Sequence, residues 1–85
     1  MIKIKVCYFA RLREQLGLAE EEITLPTAST VEQVLALFQG RGQPWTEVFA
    51  PGQTVLTALN HVMINNNAAL SAGDELAFFP PVTGG

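Results

Sequence analysis

The sequence predicts an α+β fold, a mixed β-sheet with one main helix packed on one of its faces. Three observations support this prediction. Residues 2–9 alternate between apolar and other side chains, as a strand does, and residues 31–38 repeat apolar side chains at the spacing of a helix. Short apolar segments bounded by turn residues follow, and the last of them is residues 75–79. Strands on both sides of a single long helix form a sheet with that helix on one face.

The first strand, residues 2–9, is rich in β-branched side chains. It is followed by residues 10–16, which are good helix formers, and Gly17 is placed to end that helix. A second strand is predicted over residues 21–25, where apolar side chains alternate again until Pro26. Alternation gives the first strand two faces, one with Ile2, Ile4, Val6 and Tyr8, the other with Lys3, Lys5, Cys7 and Phe9.

The main helix is indicated by an apolar stripe and by residues suited to its first turn. Ser29 with Glu32 has the spacing of a capping box, and so does Thr30 with Gln33. The sequence leaves both possibilities open. Gly40 follows as a stop signal. The stripe consists of Val31, Val34, Leu35 and Phe38.

The second half of the chain predicts short strands. Residues 43–53 are less regular, although an aromatic and apolar group there suggests a short helical turn that closes over the core. Two strands are predicted at residues 55–60 and 62–64, bent around Asn60-His61, and the last strand is residues 75–79. A right-handed crossover would return the later strands to the first one. If the first and last strands are neighbours, the fold is a β-grasp, the ubiquitin-like fold.

Composition predicts a single small domain and excludes several classes of partner. Hydrophobic residues form 48% and charged residues 15% of the 85 residues, which is typical of a folded protein. The net charge is −3 and there is no basic stripe, so we expect no nucleic-acid partner. The sequence contains no pattern of a signal peptide or membrane span. Its single cysteine, Cys7, cannot form an internal disulfide. These features predict a cytoplasmic protein without a membrane partner.

The last six residues, Pro80–Gly85, form a tail beyond a predicted domain of residues 1–79. The pair Pro80–Pro81 lacks backbone donors and favours an extended chain. The pair Gly84–Gly85 has no Cβ atoms and can enter a channel too narrow for other residues. Six extended residues reach about 20 Å. We therefore expect the tail to leave the domain as a stalk, with its terminal carboxylate as the working group.

The chain resembles a known family at both ends. The segment Gly73–Gly85, with the sequence GDELAFFPPVTGG, is similar to the end of the small subunits of molybdopterin synthase, which are ubiquitin-like sulfur carriers. Near the N-terminus, the pattern of Phe9, Ala10, Arg13 and Glu14 resembles the first strand and helix of the same family. The resemblance extends over essentially the whole chain and is weakest in the middle.

The resemblance implies sulfur chemistry at Gly85. In this family an ATP-using adenylyltransferase, similar to ubiquitin-activating enzymes, adenylates the terminal glycine, and the acyl adenylate is converted to a thiocarboxylate. The tail then enters the large subunit of molybdopterin synthase, where the sulfur passes to cyclic pyranopterin monophosphate. The family assembles as a heterotetramer of two small and two large subunits. By this resemblance the chain binds no cofactor itself, ATP binds the activating partner, and the chain is a sulfur-donating subunit rather than an enzyme alone.

The residues expected to act are the tail and the surface beside it. Gly85 would carry the thiocarboxylate, and Gly84 would permit threading. Alternation places Phe78 and Phe79 on opposite faces of the last strand, so one belongs to the core and the other is available to a partner. The resemblance assigns the partner role to Phe79. The complete set expected to contact a partner is Phe79, Pro80, Pro81, Val82, Thr83, Met63 and Arg13.

Other interpretations of several side chains stay open. Met63 has an ordinary core position as an equal alternative, and Arg13 could be an exposed arginine without a specific role. Cys7 fits a small buried hydrophobe better than a reactive thiol. His61 has no acidic or thiol partner at the positions a catalytic histidine requires. The sequence contains neither metal-ligand spacing nor a phosphate-binding glycine loop.

Other functions are also compatible with a Gly-Gly end. One is a sulfur carrier for thiamine synthesis or tRNA thiolation, although the run FFPPVTGG at residues 78–85 favours the molybdopterin branch. Another is a ubiquitin-like modifier that is joined to lysines, and a third is an interaction domain with an inert tail. Chemistry separates them, because a modifier forms conjugates of higher mass and a carrier forms a free protein with a thiocarboxylate.

Overall fold

The computed structural model describes residues 1–65 and 67–81 of the chain, and within these ranges it contains three helices and five strands. In chain order they are β1 Ile2–Tyr8, α1 Ala10–Leu16, β2 Glu20–Leu25, α2 Val31–Gln39, α3 Trp45–Val48, β3 Leu56–Leu59, β4 Val62–Met63 and β5 Glu75–Phe79. Each lies where the sequence predicts an element, and the strand ends differ by at most one residue. None of these helices has the length and apolar character that crossing a bilayer requires.

The strands form one mixed sheet in the order β2-β1-β5-β3-β4. β1 and β5 are parallel, with Lys5 opposite Glu75 and Tyr8 opposite Phe78. The other neighbouring strands are antiparallel. The last strand in the sequence is therefore the central strand of the sheet, which confirms the predicted pairing of the first and last strands. With the main helix between β2 and β3, this arrangement is the β-grasp.

The helices cover one face of the sheet and enclose an aromatic core. Phe78 of β5 has an exposed fraction of 0%, and its ring centroid lies 5.7 Å from that of Phe38 and 6.3 Å from that of Tyr8. The ring of Trp45, in α3, meets Tyr8 edge-on at 5.5 Å and Phe38 at 5.0 Å. The short helical turn therefore closes over the core as predicted, and these rings contribute a large share of the buried apolar area.

The first turn of α2 uses one of the two predicted capping boxes. The backbone N–H of Thr30 donates to the Gln33 side chain at 2.7 Å, and the Gln33 N–H donates to the Thr30 hydroxyl at 3.4 Å. Ser29 is not the cap, because its buried hydroxyl donates to the carbonyl oxygen of Pro26 at 2.7 Å. The hydroxyl of Ser29 is thus engaged in the turn before the helix. Thr30 is the residue that caps the first turn of α2.

A two-residue turn joins β3 to β4, as the sequence predicts. Asn60 has φ 49° and His61 has φ 72°, and the flanking Leu59 and Val62 are paired. Two consecutive positive φ values are the signature of a type I′ hairpin turn. Asn60 also extends the contact with β5, since its N–H donates to the Glu75 carbonyl at 2.8 Å and its side chain accepts from the Glu75 N–H at 3.0 Å.

A polar network seals the outer edge of the aromatic core. The Tyr8 hydroxyl donates to Glu21 Oε2 at 2.7 Å, and Arg41 donates to both oxygens of the same carboxylate at 2.9 and 3.0 Å. The Arg41 guanidinium also lies 4.4 Å from the ring centroid of Trp45 and 5.0 Å from that of Phe38. Arg41 therefore joins β2 to the helical layer through an ion pair and cation–π contacts.

The network holds Glu21 ionised. Burial works to raise the pKa of this carboxyl, but the hydrogen bonds from Arg41 and Tyr8 outweigh it and keep the pKa below its ordinary value. Burial, followed by the hydrogen bond to Glu21, raises the pKa of the Tyr8 phenol, which stays protonated as the donor. No local pattern predicts this network, because its members are separated by 13 and 20 positions in the chain.

Candidate functional site

The face of the sheet opposite the helices has a row of apolar side chains that crosses three strand pairs. Cys7 pairs with Ala77, Ala77 pairs with Ala58, and Ala58 pairs with Met63. Residues that pair directly across strands point to the same face, so the four side chains lie side by side. Leu56 pairs with Phe79 two positions along, in the next row of the same face.

Phe9 extends this surface at the end of β1. Its backbone N–H donates to the Phe78 carbonyl at 3.1 Å, which holds Phe9 beside the end of β5. Because Tyr8 pairs with Phe78, the next residues of the two parallel strands, Phe9 and Phe79, follow on the same face. We call the surface formed by these residues the open-face patch, and it consists of Phe9, Leu56, Met63 and Phe79 around the smaller Cys7, Ala58 and Ala77.

The patch combines exposed large side chains with a floor of small ones. Met63 is 55% exposed and Phe9 is 49% exposed, whereas Phe79 and Leu56 are half-buried. Cys7 is buried beneath them. Large apolar groups clustered on one exposed face are the kind of surface that proteins use to bind other proteins.

The structure places the predicted site residues as follows. Phe78 lies in the core and Phe79 on the open face, as alternation and the resemblance require. The alternative of a core position for Met63 is wrong, because this side chain is largely exposed. Arg13 lies on the exposed surface of α1, the helix that begins directly after Phe9. The partner-binding roles of these side chains stay predictions.

The tail begins directly at the central strand. Pro80 and Pro81 are half-buried and follow Phe79 without an intervening turn. The remaining predicted site residues of the tail, Val82, Thr83, Gly84 and Gly85, lie outside the described residues. The tail therefore starts in the middle of the sheet, beside the open-face patch.

Phe9 was not among the predicted site residues, although the sequence contains a signal for it. Strand alternation put Phe9 on the same face as Lys3, Lys5 and Cys7, which leaves an aromatic ring on the polar side of β1. Its neighbourhood with Phe79 depends on the parallel register between two strands that are about 70 residues apart in the chain. That register could not be read from either segment alone.

Charged side chains border the patch. Lys5 Nζ lies 3.2 Å from Glu20 and 3.8 Å from Glu75, and His61 Nε2 lies 3.3 Å from Glu75. The hydrogen bond and the charge of Glu20 raise the pKa of Lys5, so this side chain stays a cation. These pairs are exposed to solvent and contribute little to stability, but they give the rim of the patch a definite charge pattern.

Two side chains that could take part in catalysis, Cys7 and His61, lie at or near the patch. Burial raises the pKa of the Cys7 thiol, which favours the unreactive protonated form. His61 is an exposed turn residue paired with Glu75. Among the described residues, no group of three or more His, Cys, Asp or Glu side chains could hold a metal ion. The arrangement places an exposed apolar patch beside the end of β5, where the tail starts.

Comparison with known proteins agrees with this arrangement. The ThiS family matches residues 6–85. The molybdopterin synthase sulfur carrier subunit of Escherichia coli (strain K12) is 38% identical over 84 residues, which cover 96% of this chain and 99% of that protein.

Two solved structures show the same fold. The small archaeal modifier protein 1 of H. volcanii has a TM-score of 0.79 at 27% identity, and the match covers 96% of this chain and 100% of that one. A protein-protein complex of subunits 1 and 2 of molybdopterin-converting factor from Helicobacter pylori 26695 has a matching chain with a TM-score of 0.70 and 27% identity, over 99% and 100% of the two chains. Together with the family match over residues 6–85, these similarities show that the chain belongs to the ThiS family.

Proposed function

We propose that this chain is the sulfur carrier subunit of a molybdopterin synthase. Its tail delivers sulfur as a thiocarboxylate on Gly85, and the acceptor is cyclic pyranopterin monophosphate bound in the large subunit. The observation that carries the proposal is the position of the tail, which continues from the central strand at the edge of an exposed apolar patch. A partner that binds the patch receives the tail in a defined direction.

The chemistry requires activation of the Gly85 carboxylate. A carboxylate is a poor acyl electrophile, because its leaving group would be an oxide ion. Attack of the carboxylate on the α-phosphate of ATP releases pyrophosphate and forms an acyl adenylate, from which a sulfur nucleophile displaces AMP. The resulting thiocarboxylate is a softer nucleophile than an oxygen acid, as thiolates are relative to alkoxides. ATP binds the adenylyltransferase in this proposal, and the carrier contributes the acyl group.

The open-face patch is the surface that we assign to partner binding. The relative from Escherichia coli is a subunit of a synthase, and the matching chain from Helicobacter pylori was solved in a complex with subunit 2. Both support a large-subunit partner for this chain. Phe9, Met63 and Phe79 supply apolar anchors, and Arg13 on α1 supplies a cation for an acidic group beyond the patch. A heterotetramer of two small and two large subunits is the expected assembly.

The intact mass of the protein tests the proposal. The chain is incubated with ATP, a sulfur source and a purified adenylyltransferase of this family, and fragmentation then locates any added mass. Localisation is needed because oxidation of Cys7 or of a methionine adds nearly the same mass as replacing oxygen by sulfur. Sulfur on Gly85 is the expected result. An unmodified Gly85 with an active enzyme contradicts the proposal, and conjugates of higher mass indicate a protein modifier instead.

Deletion of Gly84–Gly85 gives the matching prediction. The core of the described residues ends at Phe78, so the variant should keep its melting temperature to within about 2 °C. Sulfur transfer to the synthase should be abolished, because the carboxylate that remains belongs to the β-branched Thr83 and is two residues short of the position of Gly85. Activity is measured as molybdopterin formed by the reconstituted synthase, and stability as thermal unfolding. Retained activity rules out Gly85 as the donor, and a much lower melting temperature rules out a tail that is separate from the fold.

A further inference from the structure

The backbone between β1 and α1 contains an alanine in a left-handed conformation. Ala10 has φ 54°, a value that is uncommon for residues other than glycine. The residue before it, Phe9, is still extended with φ −122° and ψ 157°. The change from strand to helix thus occurs at one residue, and that residue stands directly beside an exposed aromatic ring of the open-face patch.

The neighbours of Ala10 show what this conformation achieves. On one side, the Phe9 N–H donates to the Phe78 carbonyl at 3.1 Å and keeps Phe9 in register with β5. On the other side, the Leu12 N–H donates to the Phe9 carbonyl at 3.2 Å, and Leu12 is buried in the core. The bond from Leu12 to Phe9 closes a four-residue turn in which Ala10 and Arg11 are the central residues. The positive φ of Ala10 turns the chain directly after Phe9, while Phe9 keeps its bond to β5.

We propose that Ala10 is a positioning residue that holds Phe9 in the open-face patch in a form ready for the partner. The role in partner binding rests on the proposed function, whereas the role in holding Phe9 does not. A left-handed alanine is strained relative to a glycine in the same conformation, because its Cβ lies close to the following carbonyl oxygen. Among positive φ values, however, the Cβ of alanine leaves only a small left-handed region, whereas glycine also occupies other regions. The backbone at Ala10, which we call the joint, is therefore strained but has few accessible conformations. Phe9 is already ordered in the free protein, so binding of the partner does not have to order it.

A second left-handed alanine provides a matched control. Ala28 has φ 68° in the turn between β2 and α2, away from the patch. Ala10→Gly and Ala28→Gly therefore make the same chemical change and relieve the same kind of strain. We expect both variants to melt at or above the temperature of the parent protein. Only the first variant should change the behaviour of Phe9.

The first measurement is amide hydrogen exchange of the free protein, which needs no partner. In Ala10→Gly, protection of the Phe9 N–H should fall by roughly tenfold, because glycine can move from the left-handed region into other regions of positive φ while the rest of the domain stays folded. In Ala28→Gly it should stay at the parent level. Unchanged Phe9 protection in Ala10→Gly overturns the proposal, whatever the function of the protein is.

The second measurement is the affinity for the purified large subunit of molybdopterin synthase by calorimetry. Ala10→Gly should bind roughly fivefold more weakly than the parent, and Ala28→Gly should bind equally well. Equal affinity for all three proteins overturns a role of the joint in binding. Failure of the parent itself to bind contradicts the proposed function, and hydrogen exchange alone then decides the role of Ala10.

A chemically synthesised chain with D-alanine at position 10 completes the test. D-Alanine prefers positive φ and retains a Cβ, so it should restore Phe9 protection and affinity to at least the parent values. A residue with a merely structural role would change the melting temperature in this series without changing affinity. If D-alanine behaves like glycine, conformational restriction at position 10 is not the cause.

Discussion

The two faces of the central strand β5 differ in what covers them. On the helical side, Leu76 and Phe78 have no exposed surface and pack among the aromatic rings of Tyr8 and Phe38. On the other side, Ala77 and Phe79 are half-buried and belong to the open-face patch. Successive residues of one strand thus alternate between the core and the open-face patch. If the patch binds the partner as we propose, stability and partner recognition depend on different residues of the same strand and can be changed separately.

The largest expected effect is at Phe78. Phe78→Ala should cost about 3–5 kcal/mol of unfolding free energy, since it empties the centre of the aromatic core. That change is large enough to prevent folding of a small domain, so Phe78→Leu, with a cost of about 1–2 kcal/mol, gives the measurable value. Phe79→Ala should cost less than Phe78→Ala and should weaken binding to the large subunit at least tenfold.

Urea unfolding and calorimetry on both positions decide whether the faces are separate. Substitution of Phe78 should lower stability, while the protein that remains folded binds with nearly the parent affinity. Substitution of Phe79 should lower affinity, with a smaller loss of stability. If Phe79→Ala destabilises the protein as much as Phe78→Ala without changing affinity, Phe79 is a core residue, and the division between the faces is wrong.

An intermediate effect is expected at the edge of the covered face. Glu21→Gln removes the charge that Arg41 binds and should lower stability at pH 7 by on the order of 1 kcal/mol, since the pair is partly exposed. The pKa of Glu21 is lower in the folded protein than in the unfolded chain. Its contribution is therefore complete above the unfolded pKa of about 4.3 and is lost as the pH falls through the folded value.

Urea titrations of the parent and of Glu21→Gln at several pH values test this linkage. The stability difference between the two proteins should shrink steadily below about pH 4. A difference that is the same at pH 3 and pH 7 shows that the substitution acts through packing and not through charge. Affinity for the large subunit should stay unchanged throughout, because Glu21 lies at the edge of the core-side network.

The smallest effect is expected at the hairpin that carries Met63. His61 holds φ 72° in the type I′ turn, a conformation that glycine adopts without strain. His61→Gly should raise stability by roughly 0.5 kcal/mol, even though it removes the exposed contact between the imidazole and the Glu75 carboxylate. His61→Ala removes the same contact but keeps a Cβ, so it separates the two contributions. Thermal unfolding of both variants measures them, and a destabilised glycine variant would show that the contact with Glu75 outweighs the strain.

Local patterns of the sequence predicted the elements of the fold. The cap of α2 and the ends of the strands depend on contacts with other parts of the chain, which local patterns do not contain. Alternation predicted β1 and β5, and the residue types of Asn60-His61 predicted the turn. The choice between Ser29 and Thr30 as the cap could not be predicted, because it depends on a hydrogen bond to Pro26 in the preceding turn. The ends of strands also depend on tertiary contacts. Phe9 is the N-cap residue of α1, yet its N–H still bonds to the neighbouring strand β5.

Only part of the candidate site could be predicted, because the rest depends on pairing between distant segments. Phe79 and Met63 could be proposed from the last strand and from the family resemblance, and both lie on the open face. The role of Phe9 needed the register between β1 and β5, and the left-handed state of Ala10 needed the contacts on both of its sides. Sequence therefore predicts which residue types are suited to the site, and the tertiary pairing decides which of them meet.

The central position of β5 also bears on the time at which the protein becomes functional during its synthesis. β1 and β2 can pair as soon as they leave the ribosome, but β3 and β4 join them only through β5, the last strand to be made. Pairings between distant segments form late in folding. We expect the domain to close only when translation has reached the residues just before the tail. An activating enzyme that recognises the completed open-face patch would then ignore nascent and prematurely terminated chains.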